Sequence, residues 1–134
     1  MSNTFSRSFT ALPEHIDANA HVNNAVWVRW MEELAATHWQ QDAAPEHVEA
    51  YSWVVLRHEI DYRGNVREGA KVTGTTEILE GPRGARFERH FTFTDDDGRV
   101  LVRAKTRWAM IDLTSGRPAR VPAEVAAPFM PPSD

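Results

Sequence analysis

With 134 residues, 42% of them apolar and 25% charged, the chain has the size and composition of one globular domain spanning residues 1–134, with a core and no room for a second. A net charge of -4 argues against general nucleic-acid binding, and the lack of cysteine excludes disulfides, a thiol nucleophile and a thiolate metal site. The first residues lack the apolar core of a signal peptide and no apolar run reaches spanning length, so a soluble, cytoplasmic protein without membrane insertion is expected.

Residues 4–12 alternate loosely and predict a first strand, ended by Pro13. Residues 13–20 are polar and rich in turn formers, a loop that delivers Asp17 to the start of a helix. Asn23 and Asn24 are good N-cap types, because a short side-chain oxygen accepts an unpaired amide hydrogen of the first turn. From Ala25 to about Gln40 there is neither Gly nor Pro, and Val26, Trp27, Val28, Trp30, Met31, Leu34 and Ala35 make most of the circumference apolar. Arg29, Glu32 and Glu33 share the one charged face. Such a helix is expected to be wrapped by other structure. Pro45 blocks its continuation, and residues 45–50 read as a short helical turn or a loop.

From Trp53 the period changes to two. Val54, Leu56, Ile60 and Tyr62 alternate with Arg57, Glu59, Asp61 and Arg63, which predicts a half-buried strand with His58 on its apolar side. Gly64-Asn65 and Glu68-Gly69 mark a turn, and Lys71 to Leu79 form the next strand. After Gly81-Pro82-Arg83-Gly84, Phe87, Phe91 and Phe93 fall on one face of a third strand, ended by the hairpin signal Asp95-Asp96-Asp97-Gly98. Val100 to Ile111 is a fourth, with Val102, Ala104, Trp108 and Met110 on one face. The tail from about Val121 carries four prolines and reads as extended or short-helical, and partly disordered. The fold class is α+β, an antiparallel sheet of about five strands wrapped around one long central helix.

Chemistry concentrates where the loop meets the helix. Asp17, His21, Asn23 and Asn24 lie beside amides and a positive dipole end that point at whatever binds there. Alone, Asp17 before a helix reads more naturally as an Asx-turn or cap than as a reactive group. For His21, Asn23 and Asn24 a structural role weighs at least as much as a chemical one.

The run Asp17-x-x-x-His21-Val22-Asn23-Asn24, the aromatic-rich helix with Glu32-Glu33 and the strand series through Trp53–Tyr62 resemble the hotdog-fold acyl-CoA thioesterases, in particular the 4-hydroxybenzoyl-CoA and Tol-Pal-associated branch. Ala20 stands where that family commonly has glycine, and His15 where a second aspartate is common. The resemblance implies hydrolysis of acyl-CoA to free acid and CoA, with Asp17 as the carboxylate, the backbone amide near Asn24 as oxyanion donor, and His21 shaping the loop or holding a water. Substrate-binding candidates are Asn23, Glu33, His58, Arg83 and Arg86, the arginines for CoA phosphates. Pairing with Arg29 explains Glu32 and Glu33 equally well, and exposed strand-edge charge explains the arginines. His15, Asp17, His21 and His58 are ligand types without a regular ligand spacing, so no metal and no organic cofactor is expected. The resemblance also implies a pocket between subunits, hence a homodimer or homotetramer. Two other functions share these residues: an enoyl-thioester hydratase and a non-catalytic acyl-CoA-binding module.

Overall fold

The computed structural model describes residues 2–132. Seven elements carry the fold: β1 (Thr4–Thr10), α1 (Asn24–Asp42), α2 (Pro45–Ala50), β2 (Tyr51–Tyr62), β3 (Lys71–Glu77), β4 (Arg86–Thr94) and β5 (Val100–Asp112). A short β6 (Arg117–Pro118) folds back on the end of β5, and a one-turn α3 (Ala123–Ala126) follows. All pairings are antiparallel, in the order β1-β3-β4-β5-β2, so β1 and β2 are the edges. The period-two residues of β3, β4 and β5 place Val72, Phe91, Phe93, Val102 and Ala104 in the core.

Helix α1 lies over the β1 and β3 side of this sheet. Its buried residues, Val26, Trp27, Trp30, Met31, Leu34, Ala35 and His38, form one stripe at helical spacing. The approach is close at Gly74 of β3, where an added Cβ would meet Phe93 Cε1 at 2.7 Å, Leu34 Cδ1 at 2.8 Å and Phe9 Cε2 at 3.0 Å. Within one chain the sheet therefore packs against this one stripe of α1. Ala25, Arg29, Glu32, Glu33, Ala36 and Gln40 are exposed, and the flank toward β5 and β2 stays open.

A bulge alters the expected face of β2. The register slips between Val55 and Arg57, so Leu56 is extra, and Trp53 and Val55 pair opposite the inward residues Met110 and Trp108. Val54 and Leu56, expected on the apolar side, are 44% and 51% exposed. Beyond the bulge His58 and Ile60 face inward as expected, opposite Thr106 and Ala104.

The tail is packed where loose chain is expected. Val121, Val125, Ala126 and Phe129 are buried with Ala43, Ile78, Phe87 and Met110 in a second core cluster. Their spacing is helical, and the prolines sit at the ends of the short turns, where a missing amide costs nothing. The last residues of the expected disordered tail, Ser133 and Asp134, lie outside the described residues. This is the α+β hotdog arrangement, a curled antiparallel sheet with a long helix against it. Among the described residues no helix is long and apolar enough to cross a membrane.

Gly74→Ala should cost about 1–3 kcal/mol, because backbone, Phe93 and Leu34 must all move to admit one methyl. A lower urea midpoint with unchanged slope would register it.

Candidate active site

The loop before α1 is built by local hydrogen bonds. After the turn Pro13–His15, the Asp17 N–H donates to the His21 carbonyl at 2.8 Å and the Ala20 N–H to the Asp17 carbonyl at 3.1 Å. Asp17 Oδ1 accepts from the Asn19 and His21 amides at 2.9 and 3.2 Å. One carboxylate oxygen therefore holds the turn, and Oδ2 accepts no hydrogen bond among the described residues. Ala20 has φ +61°, the left-handed region that glycine occupies without strain, so the chain keeps the glycine-type path.

Asn23 is the N-cap. Its Oδ1 accepts from the Ala25 amide at 2.9 Å, while its own N–H donates to the His15 carbonyl at 2.9 Å. His15 Nδ1 accepts from the Leu12 amide at 3.0 Å, which makes this histidine a brace rather than a ligand. The Asn24 N–H donates to nothing among the described residues. An unpaired amide at the positive end of a 19-residue helix is an oxyanion donor in waiting.

The loop is pinned from outside by Asn65, whose Oδ1 accepts from Val22 N–H at 2.9 Å and whose Nδ2 donates to the Val22 carbonyl at 3.2 Å. In the sequence Asn65 reads only as a turn residue. Its role depends on a contact 43 positions away that no local pattern encodes.

The open flank of α1 and the inner faces of β2, β4 and β5 enclose a second feature, a cavity of about 580 Å³. Its walls include Glu32, Ala36 and Trp39 of α1, Trp53 of β2, Arg89 of β4, and Phe129 from the tail. Phe129 stacks on Trp39 with ring centroids 5.6 Å apart. Arg89, 8% exposed, donates through Nη1 to His38 Nδ1 at 2.8 Å and to Thr76 Oγ1 at 3.1 Å. Because a guanidinium only donates, His38 Nδ1 carries no hydrogen. His38 Nε2 then donates to the Ser2 carbonyl at 2.8 Å, with the Asp42 carboxylate 3.3 Å away. Burial lowers the Arg89 pKa to about 10. Burial first, and the Arg89 charge second, hold His38 below its usual 6.5.

The structure brings Asp17, His21, Asn23 and Asn24 together at one end of α1, all but Asp17 exposed. Glu33 is exposed and outside the cavity; its neighbour Glu32 lines it. His58 is half-buried on the inner face of β2, and its Nδ1 is buried without a partner among the described residues. Arg83 and Arg86 exchange backbone hydrogen bonds of 2.9 and 3.0 Å in the β3–β4 connection, both exposed and away from the loop. Arg57 pairs with Glu59 at 2.7 Å on the surface. No group of three or more His, Asp or Glu among the described residues is placed to hold a metal ion. His38, Thr76 and Arg89 have no counterpart among the expected site residues. The signal was present, since Arg89 shares strand parity with Phe87, Phe91 and Phe93 and so had to point inward.

The family described as Thioesterase-like superfamily matches residues 11–129. Among solved structures, a hypothetical protein from Staphylococcus aureus in complex with CoA is similar with a TM-score of 0.84, at 19% identity over 94% of this chain and 81% of that one. A 1,4-dihydroxy-2-naphthoyl-CoA thioesterase from Synechocystis gives 0.79, at 14% identity over 94% and 95%. A thioesterase complexed with coenzyme A and Zn from Thermus thermophilus gives 0.80, at 22% identity over 92% and 95%. No curated protein matches the sequence.

A folded-state pKa held below 6.5 means that His38 contributes stability above that pH, lost as the pH falls through the folded value. His38→Gln keeps an acceptor for Arg89 but cannot titrate. The drop in urea midpoint between about pH 7.5 and pH 5 should be smaller in this variant than in the wild type.

Proposed function

Because this chain belongs to the thioesterase-like superfamily, we propose that it hydrolyses acyl-CoA thioesters to the free acid and CoA, with Asp17 as the reacting carboxylate. The observation that carries this reading is the unpaired Asn24 amide at the start of α1, beside a loop that leaves Asp17 Oδ2 free. The thioester carbonyl would accept from the Asn24 N–H, which stabilises the oxyanion as the tetrahedral centre forms. Asp17 would either take a proton from the attacking water or attack the carbonyl carbon itself, and the CoA thiolate leaves in both cases. In this reading His21 shapes the loop or holds that water, and Asn23 keeps the cap in register. The Asp17-x-x-x-His21-Val22-Asn23-Asn24 run favours the 4-hydroxybenzoyl-CoA and Tol-Pal-associated branch. Coenzyme A held by the Staphylococcus and Thermus relatives supports the choice of thiol. A chain without cysteine suits the reducing cytoplasm, where acyl-CoA is found.

The reading includes a homodimer, in which the loop of one chain meets the cavity of the other. Trp39, in the cavity wall, stands fifteen residues beyond Asn24, roughly 22 Å along α1 at about 1.5 Å per residue. One chain's loop and its own cavity are thus well separated. If the β2 edges of two chains pair antiparallel about a two-fold axis normal to the sheet, the two α1 helices run in opposite directions side by side. Each Asp17 loop then approaches the partner's open flank, and Arg83 and Arg86 come toward the partner's loop end as candidates for the CoA phosphates.

Asp17→Asn should release thiol from acyl-CoA at least about a hundredfold more slowly while remaining folded and oligomeric. Retained activity would remove Asp17 from the chemistry. Mixing inactive Asp17→Asn with cavity-filled Ala36→Trp should restore about a quarter of wild-type activity, the share expected from random pairing in a two-fold dimer. No recovery after verified subunit exchange would place loop and cavity in the same chain's site.

A further inference from the structure

The cavity beside α1 is lined by donors that have nothing to donate to. Both hydrogen bonds of Arg89 leave from Nη1, so its Nε and Nη2 have no protein partner among the described residues; the residue is 8% exposed and lines the cavity, and neither nitrogen is fully sealed from solvent. Trp53 Nε1, from the opposite wall, is buried without a partner as well. Trp108 Nε1, by contrast, is satisfied by Thr106 Oγ1 at 2.6 Å. No carboxylate lies within ion-pair distance of Arg89 among the described residues. Asp42 reaches it only through His38.

A buried guanidinium without an anion is an incomplete arrangement. Its charge has lost most of its water and gained only two neutral acceptors, one of them an imidazole. Of the other walls, Ala35, Ala36, Trp39, Val55, Phe87 and Phe129 are apolar or aromatic; Gln40, Tyr51 and Ser52 carry acceptor oxygens, and none of the three is hydrogen-bonded to Arg89 among the described residues. Glu32 stands exposed at the rim, where solvent screens it. Glu88 is neutralised by Arg107 at 3.6 Å. What the cavity lacks is an elongated apolar body that ends in two acceptor oxygens.

We propose that this cavity recognises acyl groups with a carboxylate at the end remote from the thioester, and that Arg89 is the specificity-determining residue that receives it, assisted by Trp53 Nε1. The assignment rests on the thioesterase reading for the identity of the other end. A carboxylate on Nε and Nη2 would form the paired arrangement that guanidinium geometry favours. His38 and Thr76 act as positioning residues, since they hold Nη1 and so fix the direction of the free edge. A plain alkyl chain would fill the same volume and leave both sets of donors unpaired, and sites built around polar groups reject such ligands strongly.

The test compares matched pairs, ω-carboxyacyl-CoA against the unsubstituted acyl-CoA of equal length, from adipoyl- to hexadecanedioyl-CoA. At the best chain length the wild type should favour the ω-carboxylate by about tenfold or more in kcat/KM. Arg89→Met, similar in length and apolar, should bring that ratio to about one, and Trp53→Phe should lower it by a smaller factor. A wild-type ratio near one, or a ratio that survives in folded Arg89→Met, overturns the proposal. If Arg89→Met does not fold, Trp53→Phe decides on the same criterion. Should no thioester be hydrolysed at all, calorimetric titration of the same pairs separates the two questions. Tighter binding of the ω-carboxylate that disappears in the variants retains the anchor and discards hydrolysis, and equal binding discards the anchor.

Discussion

Width is the constraint on which the rest of this structure depends. Five strands about 4.8 Å apart span roughly 19 Å between outer strand axes, whereas one helix with its side chains is about 10 Å across. A single α1 cannot cover that sheet. Gly74 decides which part it covers, because only a residue without Cβ lets Leu34, Phe9 and Phe93 meet over β3. With the helix drawn to that side, the inner faces of β5 and β2 remain uncovered, and the cavity is the space so left. The tail closes its far end with Phe129, stacked on Trp39.

Polar groups have sorted themselves around the same division. Under the helix, where water is excluded, Arg89, His38 and Thr76 are joined by hydrogen bonds, and Asp42 anchors the chain from the other side of His38. Toward the cavity the same guanidinium is unsatisfied. The positive end of α1 lies elsewhere, at the Asp17 loop, and there too the local bonds leave one donor and one acceptor over. Burial elsewhere is almost entirely apolar, although Trp27 Nε1, His47 Nδ1 and His58 Nδ1 are also buried without a partner among the described residues.

The elements themselves were readable because each has one dominant period. Phe87, Phe91 and Phe93 define a strand face, and the run from Ala25 to Ala36 defines a helix, whatever surrounds them. The bulge at Leu56 was not readable, since one extra residue in an edge strand leaves composition and alternation nearly unchanged. The packed tail was masked by its prolines, although Val121, Val125 and Phe129 kept a helical spacing. Asp17 and Asn24 could be singled out because they adjoin in sequence. Asn65 and the His38–Arg89 pair could not, because each contact joins residues more than forty positions apart. Arg89 was legible as an inward residue and silent about its partners.

The division of labour within Asp17 has a bearing on how substitutions in this loop are to be understood. Its Oδ1 secures two backbone amides, and only its other oxygen is uncommitted. An amide side chain still offers the first oxygen and therefore removes charge while sparing shape. A methyl side chain offers neither, and Ala20, already left-handed, would lose the turn that holds it there. A truncation to alanine at position 17 would consequently mix two losses, of architecture and of reactivity, in one number.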